Sequence, residues 1–190
     1  MPVEYFFPKA FYYKDELISE DENGRLVQAA HSLRQEFPVS TRSNLYTTYG
    51  SVPNILERSE FLVLRDALIS EIGQYLGILE TRTGNRYAIS DSWISISAPA
   101  NYERMHTHDG AYISGVYYIK TSPGCGNLYF EELLDNLWAS VRTKPENFNT
   151  VSYAPIDRRV ILFNSRVPHY VGQNMSEDER IALSFNIFIL

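Results

Sequence analysis

Between Arg25 and Phe37 the apolar residues Leu26, Ala29, Ala30, Leu33 and Phe37 return at steps of three and four. That is the period of a helix with one buried face, and Pro38 then ends the pattern. A second helix is predicted from about Ser59 to Leu76. Its inward stripe is Phe61, Leu64, Leu68, Ile72 and Tyr75, with Gly77 as the expected C-terminal stop. The stretch between them, Ser40 to Ile55, is polar and aromatic and contains Gly50 and Pro53, so it reads as a loop or lid.

From Tyr87 onward the period changes to two. Trp93-Ile94-Ser95-Ile96-Ser97 alternates, and Ile113 to Ile119 is a dense strand signal. Further strands are predicted at Asn127 to Glu131, Arg159 to Phe163 and Ile181 to Leu190. Many short strands in succession point to a sandwich or closed roll rather than to βαβ units. Residues 133–149 are irregular, with a short helix expected at Leu133 to Leu137, and read as an insertion that carries specificity. The chain is therefore expected to be one mainly β domain over 1–190. Residues 1–86 would be mainly helical support and lid, and 87–190 a jelly-roll core.

Composition narrows the picture only at its edges. With 190 residues the chain suits one domain with a real core. Its 14 Tyr and 10 Phe suit wide sheets. A net charge of -6 argues against nucleic acid or an anionic membrane as the main partner. No run approaches the ~20 apolar residues of a membrane helix, and the first residues lack the basic start and apolar run of a signal peptide. The single cysteine, Cys125, can form no internal disulfide. A cytoplasmic location is the expectation, and a reducing compartment suits iron(II).

Candidate chemistry sits in two places. Met105-His106-Thr107-His108-Asp109-Gly110 runs directly into the strand beginning at Ile113. Residues two apart on an extended segment share a face, so His106 and His108 can aim both imidazoles at one ion. Imidazole suits iron, zinc, copper and nickel alike, and two surface histidines near a turn would look the same. The second place is Pro168-His169-Tyr170, after the apolar run Val160 to Phe163. A jelly-roll brings such sequence-distant positions together at one open end, although a core histidine would fit too. Arg180 opens the last apolar strand. Burying it without an anion is costly, and its guanidinium matches a carboxylate through two parallel hydrogen bonds. A rim arginine paired with Glu177, Asp178 or Glu179 is the plainer alternative.

Together, His106-Thr107-His108, Ser114-Gly115-Val116-Tyr117-Tyr118, Phe163-Asn164-Ser165, Pro168-His169-Tyr170-Val171, Asn174-Met175-Ser176 and Arg180 ahead of Ser184-Phe185-Asn186 resemble a group of 2-oxoglutarate/iron(II) oxygenases. That group is distantly similar to prolyl hydroxylases and occurs in bacteria and their phages. The resemblance spans nearly the whole chain and is specific in the last ninety or so residues. It implies a double-stranded β-helix, iron(II) held by His106, His108 and His169, and 2-oxoglutarate anchored by Arg180. It further implies use of O2 to hydroxylate a carbon, with release of succinate and carbon dioxide.

One departure stands out. Most oxygenases of this superfamily complete the metal site with a carboxylate two residues after the first histidine, and His108 occupies that slot here. Either three histidines form the site or Asp109 supplies the anionic ligand. Asp109 has the wrong strand parity, and Asp-Gly reads as the start of a turn. Tyr118 and Asn127 are expected on neighbouring strands, able to bond the cosubstrate carboxylate, and Ser184 shares the parity of Arg180. Two rivals remain: a jelly-roll binding module with a structural zinc or no metal, and a cupin-like dioxygenase or isomerase that needs no 2-oxoglutarate. The substrate, a small molecule or a peptidyl group, is not legible, and oligomerisation is left open.

Overall fold

The computed structural model describes residues 9–42, 44–79, 86–132 and 148–189. In chain order the strands are β1 (Phe11–Lys14), β2 (Tyr46–Thr47), β3 (Tyr87–Ser97), β4 (Glu103–His106), β5 (Ile113–Lys120), β6 (Leu128–Glu131), β7 (Thr150–Tyr153), β8 (Val160–Asn164), β9 (His169–Val171) and β10 (Arg180–Ile189). Two helices, α1 (Glu20–Glu36) and α2 (Leu62–Ile78), lie between β1 and β3.

The strands form two antiparallel sheets. One has six strands in the order β1-β8-β5-β10-β3-β2, and the other has four in the order β4-β9-β6-β7. From β3 the chain steps between the sheets at almost every strand: β3 large, β4 small, β5 large, β6 and β7 small, then β8 large, β9 small, β10 large. This alternation is the double-stranded β-helix, the jelly-roll that the strand pattern and the family resemblance both led us to expect.

The large sheet is buried on both faces, and residue parity shows how. Ile94 and Ile96 of β3, Tyr117 and Ile119 of β5, Val160 and Leu162 of β8, and Ile181 and Leu183 of β10 pack with α1 and α2. The alternate residues Tyr118, Ile161, Phe163 and Ala182 turn inward, against Leu128 and Phe130 of the small sheet. Double burial explains why these strands read as near-continuous apolar runs rather than as clean alternation. Both helices cover the outer face with the predicted stripes: Leu26, Ala30 and Leu33 from α1, then Leu64, Leu68, Ile72 and Tyr75 from α2.

Several boundaries differ from the expectation. α1 begins five residues before Arg25, because Ser19 and Glu22 form a reciprocal capping box that satisfies two free N–H groups. α2 runs through Gly77 to Ile78 instead of stopping at the glycine, and Ser59–Phe61 is a separate 3-10 turn ahead of it. The N-terminal third also holds two strands: β1 pairs with β8 and β2 with β3. Ser40 to Ile55 is largely a loop, as expected, but one tied to the large sheet by a short strand. Tyr46 and Thr47 are stitched onto Ile96 and Ser95, and the Thr48 backbone N–H donates to the Ile94 carbonyl. β4, β7 and β9, each three or four residues long, were not expected as strands. The helix expected at Leu133 to Leu137 lies outside the described residues.

Candidate metal centre

The small sheet builds the histidine cluster. β4 and β9 run antiparallel with His106 directly opposite His169, a register that brings facing side chains within about 5 Å. His108 lies just past the end of β4, in line with the expected common face of His106 and His108. Its backbone N–H donates to the Ser165 carbonyl at 2.9 Å. Asp109 and Gly110 then form the expected turn, with Gly110 at φ +92.

The three rings converge. Their centroids lie 4.3 Å apart for His106 and His169, 5.0 Å for His106 and His108, and 5.1 Å for His108 and His169. One nitrogen of each lies within 4.8 Å of the others, the only such group of metal-capable side chains among the described residues. Asp109 stands outside it, exposed, beside the Thr107 hydroxyl.

The tautomers follow from the backbone. His106 Nδ1 lies 2.7 Å from the Arg104 carbonyl, and His169 Nδ1 lies 2.8 Å from the Val167 carbonyl. A carbonyl oxygen only accepts, so each Nδ1 carries a proton, the usual arrangement behind a histidine that meets a metal through Nε2. Electrostatics act in the same direction. Burial, then the proximity of His106, pushes the pKa of His169 down to about 3. Burial, His106 and Arg42 push that of His108 down to about 4. Both rings are thus neutral near pH 7 and available as donors. Three convergent imidazoles fit a first-row divalent ion, iron included.

A cavity of about 210 Å³ opens between the sheets beside this cluster. Arg180, Tyr118 and Ser184 line it; Asn127 does not. Tyr118 and Asn127 are not on neighbouring strands, because β5 belongs to the large sheet and Asn127 precedes β6 of the small one. The Asn127 carbonyl instead accepts from the Gly172 N–H. Arg180, Ala182 and Ser184 share the inward face of β10, as parity predicted.

Arg180 is 5% exposed. Its Nη1 donates to the carbonyls of Cys125 and Gly126, at 2.9 and 3.0 Å, and its Nη2 to Ser97 Oγ at 3.0 Å. A guanidinium has five N–H groups, so these three bonds leave Nε–H and one Nη2–H without a hydrogen-bond partner among the described residues. No carboxylate among the described residues forms a close ion pair with it, although Glu103 of the cavity lining acts on its charge from farther off. Glu179, its neighbour in sequence, pairs with His31 and Lys120 instead. Burial pushes the Tyr118 hydroxyl up to about 12, which keeps it a neutral donor.

The sequence had not singled out the rest of the lining: Trp93, Ser95 and Ser97 from β3, Ser114 from β5, Glu103 from β4, and Arg42 and Tyr49 from the segment around β2. A signal was present for some of them. Serines and a tryptophan alternate with buried isoleucines on β3, and polar residues on the inward parity of a doubly buried strand mark a cavity wall.

The match to a family model described as "Putative 2OG-Fe(II) oxygenase" covers residues 91–186, just over half of the chain. It takes in the three histidines, Tyr118, Arg180 and Ser184. No curated protein matches the sequence. Among solved structures, the chain resembles a Trichoplax adhaerens prolyl hydroxylase bound to a hypoxia inducible factor peptide fragment (TM-score 0.66, 16% identity, 94% of this chain and 83% of that one). It also resembles HygX from Streptomyces hygroscopicus with nickel and 2-oxoglutarate bound (0.68, 13%, 95% and 82%). A Pseudomonas putida prolyl-4-hydroxylase is similar as well (0.63, 15%, 95% and 92%). At such identities the likeness is one of fold. No helix among the described residues is long and apolar enough to cross a membrane. By the family match, on a jelly-roll whose strands gather three imidazoles at one end of a cavity, the chain belongs to the 2OG-Fe(II) oxygenases, enzymes that use iron(II) and 2-oxoglutarate.

Proposed function

We propose that the chain, acting as one domain, hydroxylates a carbon of its substrate: R–H, O2 and 2-oxoglutarate give R–OH, succinate and carbon dioxide. His106, His108 and His169 hold iron(II) through their Nε2 atoms, with Asp109 outside the coordination sphere. Arg180 binds the distal carboxylate of 2-oxoglutarate along its Nε/Nη2 edge, with Tyr118 and Ser184 as neighbouring hydroxyl donors. Asn127 takes no direct part. The iron, when bound, supplies the oxygen activation; the protein supplies position, dryness and charge. Three neutral ligands leave the full ferrous charge in the cavity, which favours a dianionic cosubstrate.

The observation that carries this reading is Arg180. A guanidinium this deeply buried, with two N–H groups lacking a partner among the described residues and lining the histidine cavity, is costly to keep unless an anion arrives. A structural zinc module has no use for it, nor does a metal-dependent enzyme that binds no 2-oxoglutarate.

Losing a buried bidentate ionic contact typically costs ~2–5 kcal/mol. That converts to roughly 30- to several-thousand-fold in affinity. Arg180→Ala should weaken 2-oxoglutarate binding by that factor and leave iron binding nearly intact. Arg180→Lys should rescue only in part, since it keeps the charge and loses the fork. Calorimetry on iron-loaded protein without oxygen reads both effects. A parent that binds no 2-oxoglutarate, or an alanine variant that binds it equally well, refutes the assignment.

A further inference from the structure

We propose that the outer end of the cavity receives a free α-amino acid, its carboxylate on Arg42 and its ammonium on Glu103. The inference rests on the oxygenase reading above and names the substrate class of the same site.

The cavity is small. Its volume of about 210 Å³ falls below the ~300–1,000 Å³ usual for pockets that enclose drug-sized ligands. The deep end, with Arg180, Tyr118 and Ser184, is committed to the cosubstrate. What remains is the space beside His108 and toward solvent, and two aromatic rings wall it. Trp93 lies 5.7 Å from the His108 ring, and Tyr49 packs edge-on against Trp93 at 5.0 Å. This space suits a small guest whose body lies along an indole next to the metal ligands.

The charges at this end are a matched pair. Arg42 Nη1 lies 3.6 Å from Glu103 Oε1, longer than the ~2.7–2.9 Å of a hydrogen-bonded ion pair. Neither side chain is in another close ion pair among the described residues, although the Glu103 carboxylate also acts on the charge of Arg180 across the cavity. The Glu103 side chain is only 20% exposed, so its carboxylate has given up much of its water for one long contact. Arg42 reaches back over the Tyr49 ring at 6.0 Å, with about half of its side chain exposed.

Charge arithmetic selects the guest. With Arg180 taken by the cosubstrate, a purely anionic ligand would have to break the pair and strand Glu103, and a purely cationic one would strand Arg42. A zwitterion with adjacent ammonium and carboxylate groups satisfies both at once, exchanging one long contact for two short ones. An interior residue of a peptide brings neither charge. The α-amino acid held in this way directs its side chain along Trp93 toward His108.

The test uses the full chain loaded with iron(II) and 2-oxoglutarate without oxygen, titrated calorimetrically with each standard L-amino acid. At least one should bind. Its N-acetyl and methyl-ester forms, each lacking one charge, should bind about tenfold or more weaker. Glu103→Gln should weaken the free amino acid by a similar factor and add no further loss for the N-acetyl form, while Arg42→Gln should behave likewise toward the ester. The 2-oxoglutarate isotherm reports separately on the reading underneath. If 2-oxoglutarate binds and no free amino acid does, or if capped or peptide-embedded forms bind as tightly, the proposal is overturned. A parent that binds no 2-oxoglutarate overturns both.

Discussion

His169 is 4% exposed, wedged between the Phe163 and Phe130 rings at 4.8 and 5.9 Å, with its Nδ1 proton spent on the Val167 carbonyl. Its protonation is therefore linked to folding. The folded pKa values of His169 and His108, about 3 and about 4, lie below the unfolded value of 6.5. Between these limits the unfolded chain binds protons that the folded one refuses, so stability rises with pH up to about 6.5 and is lost as pH falls through that window. Urea melts of metal-free protein from acid to neutral pH should show this slope, and His169→Phe should flatten it; an unchanged slope would remove His169 as its source. The exposed Asp109 allows a second residue-level prediction. Asp109→Asn should keep iron(II) at near-parental affinity, whereas His108→Ala should lose more than the roughly 10–100-fold typical of an outer-shell change. Anaerobic iron titration of the two variants decides, and the reverse pattern would make Asp109 the ligand. The histidines were legible from spacing. Arg42 and Glu103 were not, because a cavity wall has no local signature where its residues come from separate irregular or very short segments.

Element by element, the long apolar runs were the easiest to read and the shortest strands the hardest. β10 was evident from Ile181 onward because both of its faces are buried, under the helices and toward the small sheet. β4 and β9, with four and three residues, are too short to show a period, yet they carry His106 and His169. Their existence depends on partners distant in sequence. The capping box at Ser19 and Glu22 is a local signal that sets the start of α1 ahead of its apolar stripe. Within the large sheet, one glycine fixes how closely the elements approach. A Cβ on Gly115 of β5 would lie 2.2 Å from Phe185 Cζ and 2.8 Å from Leu162 Cδ2. Phe185 is fully buried opposite Gly115 on β10 and cannot swing aside freely. Gly115→Ala should therefore cost about 1–3 kcal/mol or more by overpacking, measured by chemical denaturation. A variant as stable as the parent would mean that β5 and β10 can shift apart.

For the molecule as a whole, the proposed iron joins segments that the chain keeps far apart. His106 and His108 come from the end of β4, and His169 comes from β9, after four intervening strands. A metal bound only by the folded state stabilises it by mass action, about 2.7 kcal/mol at a hundredfold excess over the dissociation constant. For a domain of this size that is roughly 5–10 °C in Tm. Anaerobic iron(II) should raise the calorimetric Tm accordingly, and a chelator should reverse it. 2-Oxoglutarate should add a further increment only with metal present, since its anchor and the metal line one cavity. A Tm indifferent to iron would count against the three-histidine site.

What the sequence determined by itself is what depends on neighbours along the chain: two amphipathic helices, the apolar strands, the same-face spacing of His106 and His108, and the cost of Arg180 in an apolar strand. These follow from period, parity and desolvation, which act locally. Tertiary structure alone decided the rest. The β4–β9 register sets His169 against His106, the alternation of the chain between sheets puts Asn127 away from Tyr118, and folding the β2 segment onto β3 brings Arg42 and Tyr49 to the cavity beside Glu103. Each of these depends on how distant strands pair across the two sheets, fixed by their joint burial, and no local stretch of sequence carries that term.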